Sequence, residues 1–198
     1  MKKLIVILLS LLLVMGLAAC GGSETENTET TEPAADAAAP EVKTLVIYFS
    51  MTGTTKGVAE KIASITGADT YEIKAAEEYT SDDLNYNDPD SRTSIEQDDP
   101  SVRPEIGSEP ATLDGYDTIF IGYPIWWGEE PRIMDTFVES YSFEGKTVVP
   151  FCTSGSSGIG RSGEHLKENA GSGNWLDGER FSGSTTEDEL KSWIDGLQ

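Results

Sequence analysis

Three short stretches concentrate residue types that can do chemistry. Ser50-Met51-Thr52-Gly53-Thr54-Thr55 brings four hydroxyls to a turn that Gly53 allows to be tight. Neutral hydroxyl donors at the start of a helix suit a phosphate, because the unpaired N–H groups and the positive end of the helix dipole point the same way. A single capping hydroxyl would satisfy the helix alone, so a plain cap is the competing reading. Gly122-Tyr-Pro124-Ile125-Trp126-Trp127-Gly128-Glu-Glu-Pro131 places two indoles beside glycine and proline. Such a loop offers a stacking surface and backbone groups to a flat aromatic ligand, unless either indole is packed in the core. Thr153-Ser154-Gly155-Ser156-Ser157-Gly158-Ile159-Gly160 can bring bare amides close to a ligand edge, or it is only a flexible Gly/Ser connection.

The elements that must hold these stretches are legible from periodicity. Thr44–Phe49 is a continuous β-branched and aromatic run, the mark of a strand buried on both faces. Val58, Ile62, Ala63 and Ile65 then recur at helical spacing up to Gly67. Further strands are expected at Thr70–Ile73, Asp117–Gly122 and Thr147–Cys152, with a weak fifth inside Asn174–Phe181. Helices are expected after Pro131, within Gly163–Asn169 and over Thr186–Leu197, the last opened by capping residues and acids. Strands alternating with helices give an α/β, three-layer, doubly wound parallel sheet. Ligands of such sheets sit outside the carboxyl ends of the strands, where all three stretches lie. Ala75–Leu113 fits least well. It is long, acidic and proline-containing, and a short helix packing on the sheet is expected somewhere in it.

With strand before and helix after, Phe49-Ser-Met-Thr-Gly-Thr-Thr55 resembles the phosphate loop of flavodoxins, of the form [ST]-x-T-G-x-T. The tryptophan stretch is similar to the Pro-x-Trp-Trp/Tyr segment of flavodoxin-like proteins and their quinone oxidoreductase relatives. The third stretch resembles a Thr-Ser-Gly-Gly-Ser-Gly loop of bacterial lipoprotein flavodoxins and short soluble relatives, with Ser156 replacing its second glycine. The resemblance implies a flavodoxin-like fold with strand order 2-1-3-4-5 and noncovalent FMN. It implies phosphate contacts from Ser50, Thr52, Gly53, Thr54 and Thr55, and flavin contacts from Pro124, Ile125, Trp126, Trp127 and Gly128. Thr153, Ser154, Gly155, Ser156 and Gly158 would face the flavin's other edge. Trp127 is the expected closer ring, since Trp126 at the strand end can turn inward. A covalent flavin anchor is not matched: Ile65-Thr-Gly-Ala-Asp69 shares only a fragment of the Asp-x-x-[ST]-Gly-Ala-[ST] pattern.

No GxxxxGK[ST] or GxGxxG appears, which argues against an NTPase loop or a usual dinucleotide site. No metal-ligand set and no nucleophile–base constellation is visible, so no catalytic side chain is assigned. His165, the sole histidine, has charged neighbours and reads as part of a solvated helix face. Cys152 ends an apolar strand and reads as a small buried residue.

The remaining sequence is an address. Met1–Lys3 is basic, Leu4–Val14 apolar, and Leu17-Ala-Ala-Cys20-Gly21 closes with small residues. This is the plan of a secretory signal, too short to span a bilayer. It resembles a bacterial lipoprotein signal, which implies a signal peptide over 1–19, lipidation of Cys20, a flexible acidic linker over 20–43 and a folded domain over 44–198. The expected location is outside the cytosol, lipid-anchored to the outer face of the cytoplasmic membrane. The formal charge of −21 becomes −23 when Lys2 and Lys3 leave with the leader. A surface this negative repels nucleic acid and anionic lipid, and suits a basic partner or simple solubility. Three functions stay open: an electron carrier serving a redox partner protein or small acceptor, an NAD(P)H-dependent quinone or nitro-compound reductase, and a flavin-binding module without turnover.

Overall fold

A computed structural model describes residues 42–197; the expected signal peptide, Cys20 and nearly all of the expected linker lie outside the described residues. Strands β1 (Thr44–Phe49), β2 (Asp69–Ile73), β3 (Thr118–Pro124), β4 (Thr147–Thr153), β5 (Asn174–Trp175) and β6 (Glu179–Phe181) form one parallel sheet. Its order is β2-β1-β3-β4-β5, with β6 also on β4. Helices α1 (Thr54–Thr66), α2 (Arg92–Asp98), α3 (Arg132–Ser140), α4 (Ser162–Ala170) and α5 (Glu187–Asp195) lie between and after the strands.

Side-chain alternation builds the three layers. Leu45, Ile47 and Phe49 of β1 join Ile119, Ile121 and Tyr123 of β3 in a core with Ile133, Met134, Phe137 and Val138 of α3 and Leu166 of α4. The intervening residues Val46, Tyr48, Phe120, Val149 and Phe151 face the other side, against Val58 and Ile62 of α1 and Leu190 of α5. Burying each large apolar side chain is worth about 1.5–3 kcal/mol, so both faces of the central strands contribute to stability. Gly122 is set by packing, because a Cβ there would sit 2.1 Å from the Phe151 ring.

The fifth strand is split, and Pro150 supplies the reason. The Leu176 N–H donates to Val148 O at 2.9 Å and the Ser154 N–H to Phe181 O at 3.2 Å. Even-numbered positions of β4 therefore face β5 and β6. Pro150 falls between them with no N–H to give, so the ladder breaks at Leu176–Gly178.

The long segment after β2 closes on itself at the neck. Ala76 N–H donates to Glu105 O and Gly107 N–H to Lys74 O, each at 2.8 Å. The expected short helix is α2, but it buries a polar face (Thr93, Ser94, Glu96, Gln97) and leaves Ile95 exposed. Of these, Glu96 is paired twice: Tyr79 donates its hydroxyl to it at 2.8 Å, Arg92 Nε donates to the same carboxylate at 2.7 Å, and the guanidinium lies 3.9 Å over the Tyr79 ring.

Candidate functional site

Gly53 takes a left-handed conformation (φ 83°) at the N-cap of α1, and no side chain caps that helix. Three of the loop's four hydroxyls are engaged with other side chains, and the fourth is not. Thr52 and Thr54 lie 3.3 Å apart oxygen to oxygen, and Thr55 shares a buried 2.8 Å hydrogen bond with Thr153. Ser50 Oγ is buried with no partner among the described residues. A helix start with no side-chain cap, beside the hydroxyls of Thr52 and Thr55, is the pattern of a site built to receive acceptor oxygens. The plain helix-cap reading does not hold.

The tryptophan stretch folds into a tight hairpin. Trp126 and Glu129 exchange both backbone hydrogen bonds, at 2.9 and 3.0 Å, around Trp127 (φ 49°) and Gly128 (φ 89°). Two consecutive positive φ values define a type I′ turn, whose first central position favours Asn, Asp or Gly. Trp127 is the sole non-glycine residue with positive φ among those described. A bulky side chain pays for that conformation, and strain of this kind collects at ligand sites. The two indoles part company there. Trp126 turns inward, edge-on to Phe49 at 5.6 Å and to Tyr79 at 5.5 Å. Trp127 stands 46% exposed.

Between the two loops lies a cleft of about 360 Å³, lined by Met51, Thr52, Thr55, Pro124, Trp126 and Trp127, with Ile125, Leu84, Tyr86 and Thr93 completing it. The volume falls within the range that holds a drug-sized ligand. Of the residues singled out from sequence, the cleft gathers Thr52, Thr55, Pro124, Ile125, Trp126 and Trp127. Ser50 opens instead into a neighbouring hollow of about 260 Å³ with Glu72, Lys74 and Tyr79. Gly53, Thr54 and Gly128 shape the turns rather than the wall.

The third loop is attached at its ends. Thr153 is buried, and its carbonyl accepts from the Ile125 N–H at 3.0 Å. Gly155, Ser156 and Gly158 are exposed and do not line the cleft. Ser154 is held by Arg180, whose Nε donates to its hydroxyl at 3.0 Å and whose Nη2 donates to its carbonyl.

Several contributors escaped the sequence reading. Met51, Leu84, Tyr86 and Thr93 wall the cleft, and Gln97 braces it: its Nε2 donates to Trp126 O at 2.9 Å and to Glu130 O at 3.2 Å. The length of Ala75–Leu113 was the signal for four of these, but periodicity could not assign them. His165 is a correction. Its side chain is 28% exposed and turned toward the segment before α3, with Nδ1 3.5 Å from Glu130 Oε1, so it does not lie on a solvated face. Cys152 is buried as expected, and burial pushes its thiol up to about 12, away from reactivity at neutral pH.

The flavodoxin family profile matches residues 43–197. The chain belongs to the flavodoxin family. Among solved structures it is 48% identical to a Bacteroides eggerthii DSM 20697 protein designated a flavoprotein, over 78% of this chain and 97% of that one, with a TM-score of 0.73. A second so designated, from Bacteroides uniformis ATCC 8492, is 45% identical over 78% and 98%, TM-score 0.74. A flavoprotein from Lactobacillus acidophilus NCFM, solved in complex with FMN, is 26% identical over 77% and 99%, TM-score 0.57. No curated protein matches. In a flavodoxin the switch point between the β1 and β3 ends is the ligand crevice, as the flavodoxin example of the general rule holds; the cleft of this chain occupies that place.

Proposed function

We propose that the cleft holds FMN noncovalently and that the protein carries electrons outside the cytosol, tethered through lipid on Cys20. One observation carries the cofactor reading: the uncapped, hydroxyl-rich start of α1 and an aromatic-walled cleft adjoin at the switch point of the sheet. Thr52 and Thr55, with the helix N–H groups, would hold the phosphate. Trp127 and Tyr86, 46% and 74% exposed at the rim, would bound the flavin ring. The FMN complex of the Lactobacillus relative supports the same choice. Bound flavin supplies the electron chemistry, and the protein supplies binding, orientation and electrostatics. The exposure of Tyr86 and Trp127 also leaves the cleft open to a small acceptor, which favours a reductase as the second reading. Anaerobic mixing with NADH and NADPH separates the two: rapid bleaching of the flavin supports the reductase, and a slow response supports the carrier.

Thr52→Asp tests the site itself. A carboxylate placed about 4 Å from a phosphate costs about 4 kcal/mol at an effective dielectric of 20. FMN affinity, read by quenching of flavin fluorescence, should fall by at least about a hundredfold while the circular dichroism is unchanged. Wild-type affinity in the variant would remove Ser50–Thr55 from the cofactor site.

A further inference from the structure

Three of the four buried side-chain atoms without a partner among the described residues lie in one place, beneath the tryptophan turn: Gln97 Oε1, Glu130 Oε2 and Arg132 Nε. Glu130 follows the turn directly and is 1% exposed. Its carbonyl and that of Trp126 accept from the same Gln97 amide, so the backbone of Glu130 is part of the brace. Its carboxyl points away from the cleft to α4, with Oε1 3.5 Å from His165 Nδ1 and Oε2 bare.

The charges around this carboxyl are unbalanced. From its own turn comes Glu129, which accepts from Arg132 Nη2 at 2.8 Å. From α3 come Arg132, whose Nη1 is 3.7 Å from Asp135, and Asp135 itself, buried and accepting from Asn169 of α4 at 2.9 Å. Glu139 of α3 pairs at 2.7 Å with Arg103, which precedes β3. Tyr123 of β3 presents a neutral hydroxyl bonded to Ser162 at 2.9 Å, and α2 contributes the uncharged Gln97. Asp99, just past α2, also feels Arg132. Counting the ion pairs, two guanidiniums already serve Glu129, Asp135 and Glu139. A further buried carboxylate would have only the His165 imidazole, 3.5 Å from one of its oxygens, to offset it, whereas a carboxylic acid in the same place needs no counter-charge.

We propose that Glu130 is a proton-holding positioning residue: protonated, it seats the Trp126–Glu129 turn against the cleft, and on ionising it loosens that turn. The proton leaves from the His165 side to solvent, and one negative charge remains at Glu130. The consequence for cofactor affinity rests on the proposed FMN site; the movement of the turn does not. Burial pushes the Glu130 carboxyl up to about 8, opposed by a backbone hydrogen bond and Arg132 and assisted by Asp135 and Glu129. A carboxyl raised in the folded state stabilises the fold fully below its unfolded value and loses that contribution as pH rises through its folded value. The turn is therefore firm in mild acid and loosens in mild alkali.

The test follows the indole N–H signals of the ¹⁵N-labelled full chain from about pH 6 to about pH 9, alongside FMN titrations at both ends. In the wild type, the signals of Trp126 and Trp127 should shift with a midpoint near 8, while those of Trp175 and Trp193 stay still. FMN should bind about tenfold more weakly at the alkaline end, because only the protonated fraction is competent. Glu130→Gln, a neutral mimic of the acid, should show neither change, and it controls for ionisation of the FMN phosphate. Glu130→Asp, which restores a carboxyl, should regain a transition. An unchanged pH response in Glu130→Gln, or no shift in the wild type, would overturn the proposal. Failure of every variant to bind FMN would instead sink the cofactor reading, and the indole shifts would still decide the role of Glu130.

Discussion

Trp127 holds a backbone conformation that its own side chain disfavours. Left-handed geometry costs an L-residue about 1–2 kcal/mol, and nothing in the fold of the hairpin calls for tryptophan. Asn at that position would complete the favoured Asn-Gly pair of a type I′ turn with Gly128. Trp127→Asn should therefore raise the melting temperature of the cofactor-free protein by about 2–4 °C, on roughly 1 kcal/mol for a domain of this size. It should also weaken FMN about tenfold, since an aromatic partner is worth about 0.5–1.5 kcal/mol beyond area burial. Trp126→Ala should behave differently. It strips an aromatic cluster with Phe49 and Tyr79, so the melting temperature should drop along with the affinity. Thermal melts and FMN titrations of the two variants compare the two indoles directly. Gains in stability from both would show that neither ring is built into the fold.

Helix α2 is short, polar on its buried side, and inserted in a segment whose neck is pinned by two backbone bonds. Its contribution to the cleft is the Gln97 amide under the tryptophan turn and the Leu84, Tyr86 and Thr93 wall ahead of or within it. Gln97→Ala leaves the buried Glu130 carbonyl without its side-chain donor, at about 1–3 kcal/mol, and takes one of two donors from the Trp126 carbonyl, which keeps the Glu129 N–H. The variant should melt several degrees lower and bind FMN more weakly, with kinetics of release faster than wild type; retention of both properties would make α2 a mere cover. This element also marks the limit of the sequence reading. The strands were legible as short apolar runs and α1, α3 and α5 as apolar residues at helical spacing, α4 was placed only within Gly163–Asn169, and the strand order followed from the family resemblance. In α2 the buried positions are Thr93, Ser94, Glu96 and Gln97, while Ile95 faces out, so no apolar pattern exists to read. The break of the last strand was hidden for a similar reason: Pro150 sits in an apolar run, and its missing N–H matters only once its neighbour is known. At the site, hydroxyls and indoles declared themselves by type. Glu130 and His165 did not, because their importance comes from facing each other between the segment after the tryptophan turn and α4.

The whole molecule is an acidic domain proposed to stand on a lipid anchor, and both properties predict behaviour. If Cys20 carries the lipid, Cys20→Ser should release the protein from the membrane fraction of its native host or leave it unprocessed; a wild-type protein wholly in the soluble fraction would remove the anchor from the proposal. The acidity bears on stability. Burial holds the Glu130 and Asp135 carboxyls above their usual range, so the folded state keeps protons that the unfolded chain gives up as pH rises. Stability from Glu130 is present in acid and declines from about pH 4.5 toward about 8, and that from Asp135 declines in the same direction as pH rises. Hydrogen bonds act the other way at the surface. Thr80 holds Asp83, Ser101 holds Asp99, Arg103 holds Glu139 and Thr186 holds Glu189 below the usual carboxylate range. Their contribution is present above their unfolded values and is lost as pH falls below about 4. Between these limits, the formal charge of −21 at pH 7 adds self-repulsion that eases as carboxylates are protonated. The melting temperature of the cofactor-free protein should therefore peak near about pH 5 and fall by about 5 °C or more by about pH 9, at about 2–4 °C per kcal/mol. Glu130→Gln should flatten the alkaline limb and leave the acid limb in place, because the hydrogen bonds behind the acid limb, at Asp83, Asp99, Glu139 and Glu189, do not involve Glu130. A melting temperature that climbs steadily from pH 5 to pH 8 in the wild type would mean that the buried carboxyls are ionised in the fold, and that the acid cluster under the turn is neutralised by something other than protons.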